Sequence, residues 1–174
     1  MTIGKNFSIN WPHQLKIGDN VRIGIGMSLV IDGIWSDIGF ISIENQVEIK
    51  DYVKLIKKSD SKCVIGQTSF IGDNVNISIA SDLIIERDCL IASGVRISDT
   101  NHLYGKDIEN RKCATINAFI NIKAGTWIGL NACILSGVII SENSVIAAGS
   151  VVNKDIPEWE IWGGIPAKYL KRIQ

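Results

Sequence analysis

IKAGTW-IGLNAC-ILSGVI-ISENSV-IAAGSV-V, residues 122–152, is the stretch from which the rest of the chain can be read. A large aliphatic returns at every sixth position: Ile122, Ile128, Ile134, Ile140, Ile146 and Val152. Four positions after each stands Thr126, Ala132, Val138, Ser144, Ser150 or Ile156, all but the last small or compact. Neither the 3.6-residue period of a helix nor simple strand alternation pairs a large aliphatic with a small residue in this way. A six-residue period is the mark of a parallel β-helix, each hexad one short strand and a corner. The expected fold class is therefore all-β, a solenoid of hexapeptide repeats.

Working outward, hexads begin at Ile17 and Ile23, blur between Leu29 and Phe40, and resume at Ile43 and Ile49. They blur again through Lys57-Lys-Ser-Asp-Ser-Lys62, run cleanly from Ile65 to Ile77, slip by two at Leu83-Ile84 and continue to Ile97. Three hexads make one coil, and about six coils at a strand spacing of roughly 4.8 Å give a prism about 30 Å long. The tripeptide Gly-Asp-Asn at residues 18–20 and 72–74 suits corners, where β-branched residues resist the turn conformation. Residues 103–119 break the period with a charged run and read as a protruding loop; residues 1–16 read as a cap or entry strand. The solenoid spans 17–157. The tail 158–174 places good helix formers after Pro166, which predicts a short closing helix.

Composition narrows the function. The 174 residues carry 18 Lys+Arg against 18 Asp+Glu, so no net charge draws the chain to nucleic acid or an anionic membrane. No apolar run is long enough to span a bilayer and no signal layout opens the sequence, which makes a cytoplasmic location the expectation. The four cysteines, Cys63, Cys89, Cys113 and Cys133, lack metal-pair spacing. Cys89 and Cys133 are read as small inward-facing hydrophobes, and no metal is expected.

Only two histidines are present, His13 and His102. His13 follows Trp11 and Pro12 in the unpatterned start and reads as a packing residue. His102 ends the hexad Ile97-Ser-Asp-Thr-Asn-His102, where the repeat gives way to the loop, and a neutral imidazole there could take a proton from a hydroxyl or amine. Asp99 and Asn101 stand close enough in sequence to orient it or to meet an acceptor.

The hexads, together with Ser98-Asp-Thr-Asn-His102, Thr126-Trp-Ile-Gly129, Ala147-Ala-Gly-Ser150, Asn153-Lys-Asp155 and Gly164-Ile-Pro-Ala-Lys168, resemble the hexapeptide-repeat acyltransferases. The similarity is to the maltose, galactoside and surface-polysaccharide O-acetyltransferase branch, over residues 17–174. The resemblance implies a left-handed parallel β-helix, assembled as a homotrimer with active sites between prisms. It implies an acetyl-CoA-dependent O-acetyltransferase in which His102 deprotonates a sugar hydroxyl that attacks the thioester in a ternary complex. The backbone N–H of Leu130 would face the oxyanion. Trp127, Ala148 and Asn153 would line the acetyl-CoA arm, Lys168 and Lys171 would meet its phosphates, and a carbohydrate would be the acceptor.

Some positions depart from the pattern. Ile165 stands where Asn is usual, Ser136 where Pro is common, and Ile140-Ser141 where Ile-Gly is common. Trp159 and Trp162 read as packing for the end of the prism rather than as walls for an adenine. Transfer to the amine of a nucleotide-linked amino sugar is the nearest alternative. A non-catalytic scaffold explains the hexads but not His102, Trp127 and the tail; a zinc hydratase would need three histidines where this chain has two.

Overall fold

Alternation inside each hexad turns one aliphatic inward per short strand, and the small residue at the next corner lets the chain bend through about a third of a turn. The computed structural model describes residues 1–33, 38–105 and 114–174 and has this architecture throughout. Three sheets of nine, seven and six strands, parallel but for the last strand of the first, form the faces of a prism. The first face runs from Thr2–Ile3 through Leu90–Ile91, Trp127–Ile128 and Val145–Ile146 to Glu160–Gly163. The second runs from Ser8–Ile9 to Val151–Val152, the third from Leu15–Ile17 to Ile139–Ile140. Register keeps like over like: Ile71, Ile91, Ile128 and Ile146 are successive partners on the first face. All are buried, and each such isoleucine is worth about 1.5–3 kcal/mol of transfer from water.

Corners are made by residues in the left-handed region. Asn6, Asn20, Asn74, Asn131 and Asn143 all have φ between 55° and 60°. Asparagine tolerates that conformation better than other non-glycine residues, which accounts for the Gly-Asp-Asn signature. Gly94 and Gly149 fill the same corner on other coils, with φ of 73° and 68°.

The four irregularities in the hexad pattern fall on one edge. Between a strand of the second face and the next strand of the third lie 33–39, 59–61, 80–82 and 99–119. Everything that lengthens a coil is thus stacked along one side, and the other two edges stay regular. Trp35 and the charged run 106–112 belong to this edge in sequence, but lie outside the described residues.

Two expectations need correction. The tail forms no helix: Lys168–Arg172 is a strand, antiparallel to Glu160–Gly163. Helix propensity yields there to an open sheet edge whose unpaired backbone groups take a partner. Cys133 is half exposed, because it precedes Ile134 and alternation turns it outward between Arg96 and Val151; Cys89 is buried as expected. Residues 1–16 enter the prism as strands, since Thr2–Ile3 and Ser8–Ile9 pair in parallel with Arg22–Ile23 and Ser28–Asp32.

At the far end Trp162 is nearly buried beside Tyr169, its indole N–H donating to Glu160 Oε2 at 2.7 Å. Lys154 Nζ lies 4.8 Å from the ring centroid. Trp162 therefore closes the core, as its area favours, whereas Trp159 is exposed.

Candidate active site

His102 ends the strand Thr100–His102, which pairs antiparallel with Thr115–Asn117 and sets His102 opposite Thr115. The loop thus leaves the prism as a β-hairpin, and His102 and Asn101 are both exposed on it. Its base is held by Asp99, which the sequence reading made an acceptor ligand. The structure gives it another task. Asp99 is fully buried, and its carboxylate accepts from the Ala80 N–H at 2.9 Å, the Ser81 N–H at 2.6 Å and the Thr100 hydroxyl at 3.0 Å. Ser136, which stands where proline is common, donates its hydroxyl to the Asp99 carbonyl at 2.5 Å. A carboxylate saturated by backbone donors is a structural clamp.

Trp127 lies on the outer side of the first face, 51% exposed. Its neighbours across the sheet are Leu90 and Val145, and the row continues to Ile161 and Lys171. Trp127 and Lys171 are thus three strand spacings apart on one apolar strip, roughly 14 Å. The correction to the tail places Lys171 there: in a helix it would have had no fixed register with Trp127. Lys168 pairs with Gly163 on the same antiparallel strand and is exposed.

Leu130 and Ala148 sit at the edge between the first and second faces, on successive coils. The Gly149 N–H donates to the Leu130 carbonyl at 2.7 Å, and a Cβ added at Gly129 would stand 2.6 Å from the Ala148 nitrogen. Trp127, Leu130 and Ala148 therefore share one neighbourhood. Asn153 does not, since it follows Val151–Val152 at the edge that carries the hairpin.

The two edges are one face apart. Five to six residues of extended chain separate them, about 15–20 Å. His102 is three residues out from the buried Asp99, a reach of about 10 Å. Within one chain the proposed base and the proposed oxyanion donor do not meet.

One feature of the first edge was not read from the sequence. The residue before each left-handed corner is, coil by coil, Lys5, Ile25, Asp51, Asp73, Ser93, Leu130 and Ala148. The Ile25 N–H donates to Asp51 Oδ1 at 2.8 Å, the Asp51 N–H to Asp73 Oδ1 at 3.1 Å, and the Asp73 N–H to Ser93 Oγ at 3.1 Å. At Ser93 the series stops: among the described residues the N–H groups of Ser93 and Leu130 have no hydrogen-bond acceptor. The signal was present as an Asp, Asp, Ser, Leu, Ala series, but at spacings of 22, 20, 37 and 18 residues that hide it until the coils are aligned.

Among the described residues, no group of three or more His, Cys, Asp or Glu is arranged to hold a metal ion. No described helix is long and apolar enough to cross a membrane.

The hexapeptide repeat of succinyl-transferase matches residues 121–154. WbbJ of Escherichia coli K12, named for O-acetyl transfer in lipopolysaccharide biosynthesis, is 29% identical over 167 residues, covering 91% of this chain and 72% of that one. The galactoside O-acetyltransferase of the same organism is 38% identical over 103 residues, 58% of this chain, which spans only 50% of that relative's length. The solved hexapeptide-repeat acetyltransferase VCA0836 of Vibrio cholerae is 32% identical, with a TM-score of 0.58 over 68% of this chain and 70% of that one. Its complex with acetyl coenzyme A aligns with a TM-score of 0.62 at 25% identity, over 94% and 74% of the two chains. Repeat, prism and relatives agree: the chain belongs to the hexapeptide-repeat acyltransferase family, built on the left-handed parallel β-helix.

Proposed function

We propose that the protein transfers an acetyl group from acetyl-CoA to a sugar hydroxyl of a surface polysaccharide or its precursor, as a homotrimer. The observation that carries the reading is the uncapped Leu130 N–H. It stands beside the small Ala148 and near an exposed tryptophan whose strip ends in a lysine. That combination suits a thioester: the strip takes the pantetheine arm against Trp127, Lys171 and Lys168 meet phosphates, and the N–H receives the carbonyl oxygen. Two relatives named for O-acetyl transfer favour a hydroxyl acceptor over an amine.

His102 acts as general base. It takes the acceptor's proton as the hydroxyl oxygen bonds to the thioester carbon, and charge collects on the carbonyl oxygen at the Leu130 N–H. The C–S bond then breaks, the carbonyl re-forms, and the departing thiolate takes the proton from the imidazolium. Because His102 and Leu130 lie on different edges, the base comes from the hairpin of one copy and the oxyanion donor from the next. That supports the trimer as the unit of catalysis, with three copies completing one another's sites. Asn153, on the hairpin edge, would meet the acetyl-CoA arm from the second copy.

His102→Ala tests the reading directly. Turnover, followed as thiol release with acetyl-CoA and a panel of sugars and amino sugars, should fall by about three orders of magnitude, with assembly and CoA binding retained. A near-wild-type rate would refute His102 as the base. Rates confined to amino sugars would assign transfer to nitrogen instead.

A further inference from the structure

Every coil of a parallel β-helix leaves a backbone N–H at its corner whose bonding must be settled locally. On the first edge this chain settles it with side chains. The residue one coil further along supplies an oxygen, Asp51 to Ile25, Asp73 to Asp51 and Ser93 to Asp73, at 2.8, 3.1 and 3.1 Å. On the edge between the third and first faces Asn45 Oδ1 accepts likewise from Asp19, whereas Glu86 Oε2, on the preceding coil, accepts from Ala124. Side-chain capping on the first edge therefore runs over three successive steps, from Ile25 to Ser93. It stops at the two steps that follow: Ser93 faces Leu130, an isobutyl group, and Leu130 faces Ala148, a methyl group.

From this geometry we infer that Ala148 is a positioning residue for the transfer reaction, and that its task is to lack oxygen. The acyl oxygen of the substrate takes the place that an aspartate or serine oxygen occupies on the earlier coils. The ladder measures that place: an acceptor about 2.8–3.1 Å from the Leu130 N–H, on the side of the following coil. The smallness of Ala148 makes room, but room alone is insufficient. A serine there is barely larger, yet it would carry a hydroxyl that caps Leu130 as Ser93 caps Asp73 and competes with the substrate oxygen. This inference rests on the proposed acyl transfer. It adds to that reading a reason why an oxygen-bearing side chain of any size is excluded at residue 148.

Backbone amide hydrogen exchange and kinetics on Ala148→Ser test it together. In the wild-type protein the Leu130 amide should exchange faster than those of Ile25, Asp51 and Asp73, and should slow when acetyl-CoA is added. In A148S it should slow by about tenfold without ligand. For that variant kcat should fall by about 100-fold, the loss expected for one oxyanion donor, while the dissociation constant for CoA stays near the wild-type value. Ser93→Ala, outside the proposed machinery, should speed exchange at Asp73 and leave transfer intact. Two outcomes overturn the inference: a Leu130 amide as protected in the wild type as those of the capped corners, or full kcat in an A148S protein whose Leu130 amide has become protected. Neither depends on His102. A failure of the general-base assignment would show in H102A turnover and leave the exchange pattern unchanged.

Discussion

At the scale of single residues, Lys57 and Cys63 are neighbouring ionisable groups of the interior that no reaction requires. Lys57 is fully buried between Ile31 and Ile79, and its ammonium donates to the carbonyls of Lys58, Ser59 and Ser61 at 2.7, 3.3 and 2.8 Å. Burial lowers its pKa. Cys63 is buried beside it, and burial raises the thiol from 9.0 to about 12, with Lys57 opposing. The signs differ. A raised thiol pKa contributes stability that is complete below pH 9 and is lost between pH 9 and about 12, because only the unfolded chain ionises there. Lys57 works the other way: below its ordinary value of 10.5 the unfolded chain binds the extra proton, so stability rises with pH through that window. Urea titrations across alkaline pH should show a limb that Cys63→Ala makes shallower, by up to about 1.4 kcal/mol per pH unit, and that Lys57→Met makes steeper just below pH 10.5.

Among the elements, the hairpin is the one whose placement matters most, and Asp99 holds it. That carboxylate ties the departing strand to the 80–82 corner of the preceding coil through the N–H groups of Ala80 and Ser81. Asp99→Ala would orphan these donors and the Thr100 hydroxyl in a buried corner. The expected cost is about 2–4 kcal/mol, read as a lower urea midpoint at unchanged m-value. Asp99→Asn keeps an acceptor oxygen and should recover part of it. Catalysis in Asp99→Ala should fall with the stability, since the hairpin that carries His102 loses its anchor. Element propensity misled at the tail, where an open sheet edge recruited a sequence with good helix formers, and this change gave Lys171 its register on the Trp127 strip.

For the whole molecule, the site is divided between edges, and that makes assembly testable by complementation. His102→Ala and Ala148→Phe should each be inactive alone, the second because a large side chain fills the groove. Co-expressed, they should regain activity, about a quarter of wild type if subunits mix at random, because some interfaces join an intact hairpin to an intact corner. No recovery in verified mixed trimers would return both halves of the site to one chain. The stacking of all four coil insertions on one edge has the same origin: the other two edges must stay regular for the ladders to close, so variation collects where the hairpin emerges.

The six-residue period alone dictated the inward isoleucines, the corners and the solenoid, because each hexad repeats a local rule that neighbouring coils only copy. It also exposed His102, where that rule fails. Contacts between coils depend instead on how many residues each coil spends at its insertions, and a hexad count taken along the chain loses that alignment. Hence the burial of Asp99, the outward turn of Cys133, the Asp51–Asp73–Ser93 capping ladder and its stop at Leu130 and Ala148 became visible only when the coils were stacked. The local pattern set which residues face in. The tertiary stack decided which backbone N–H groups were left open, because each cap of the ladder comes from a residue 20 to 26 positions away in sequence and one strand spacing away in space.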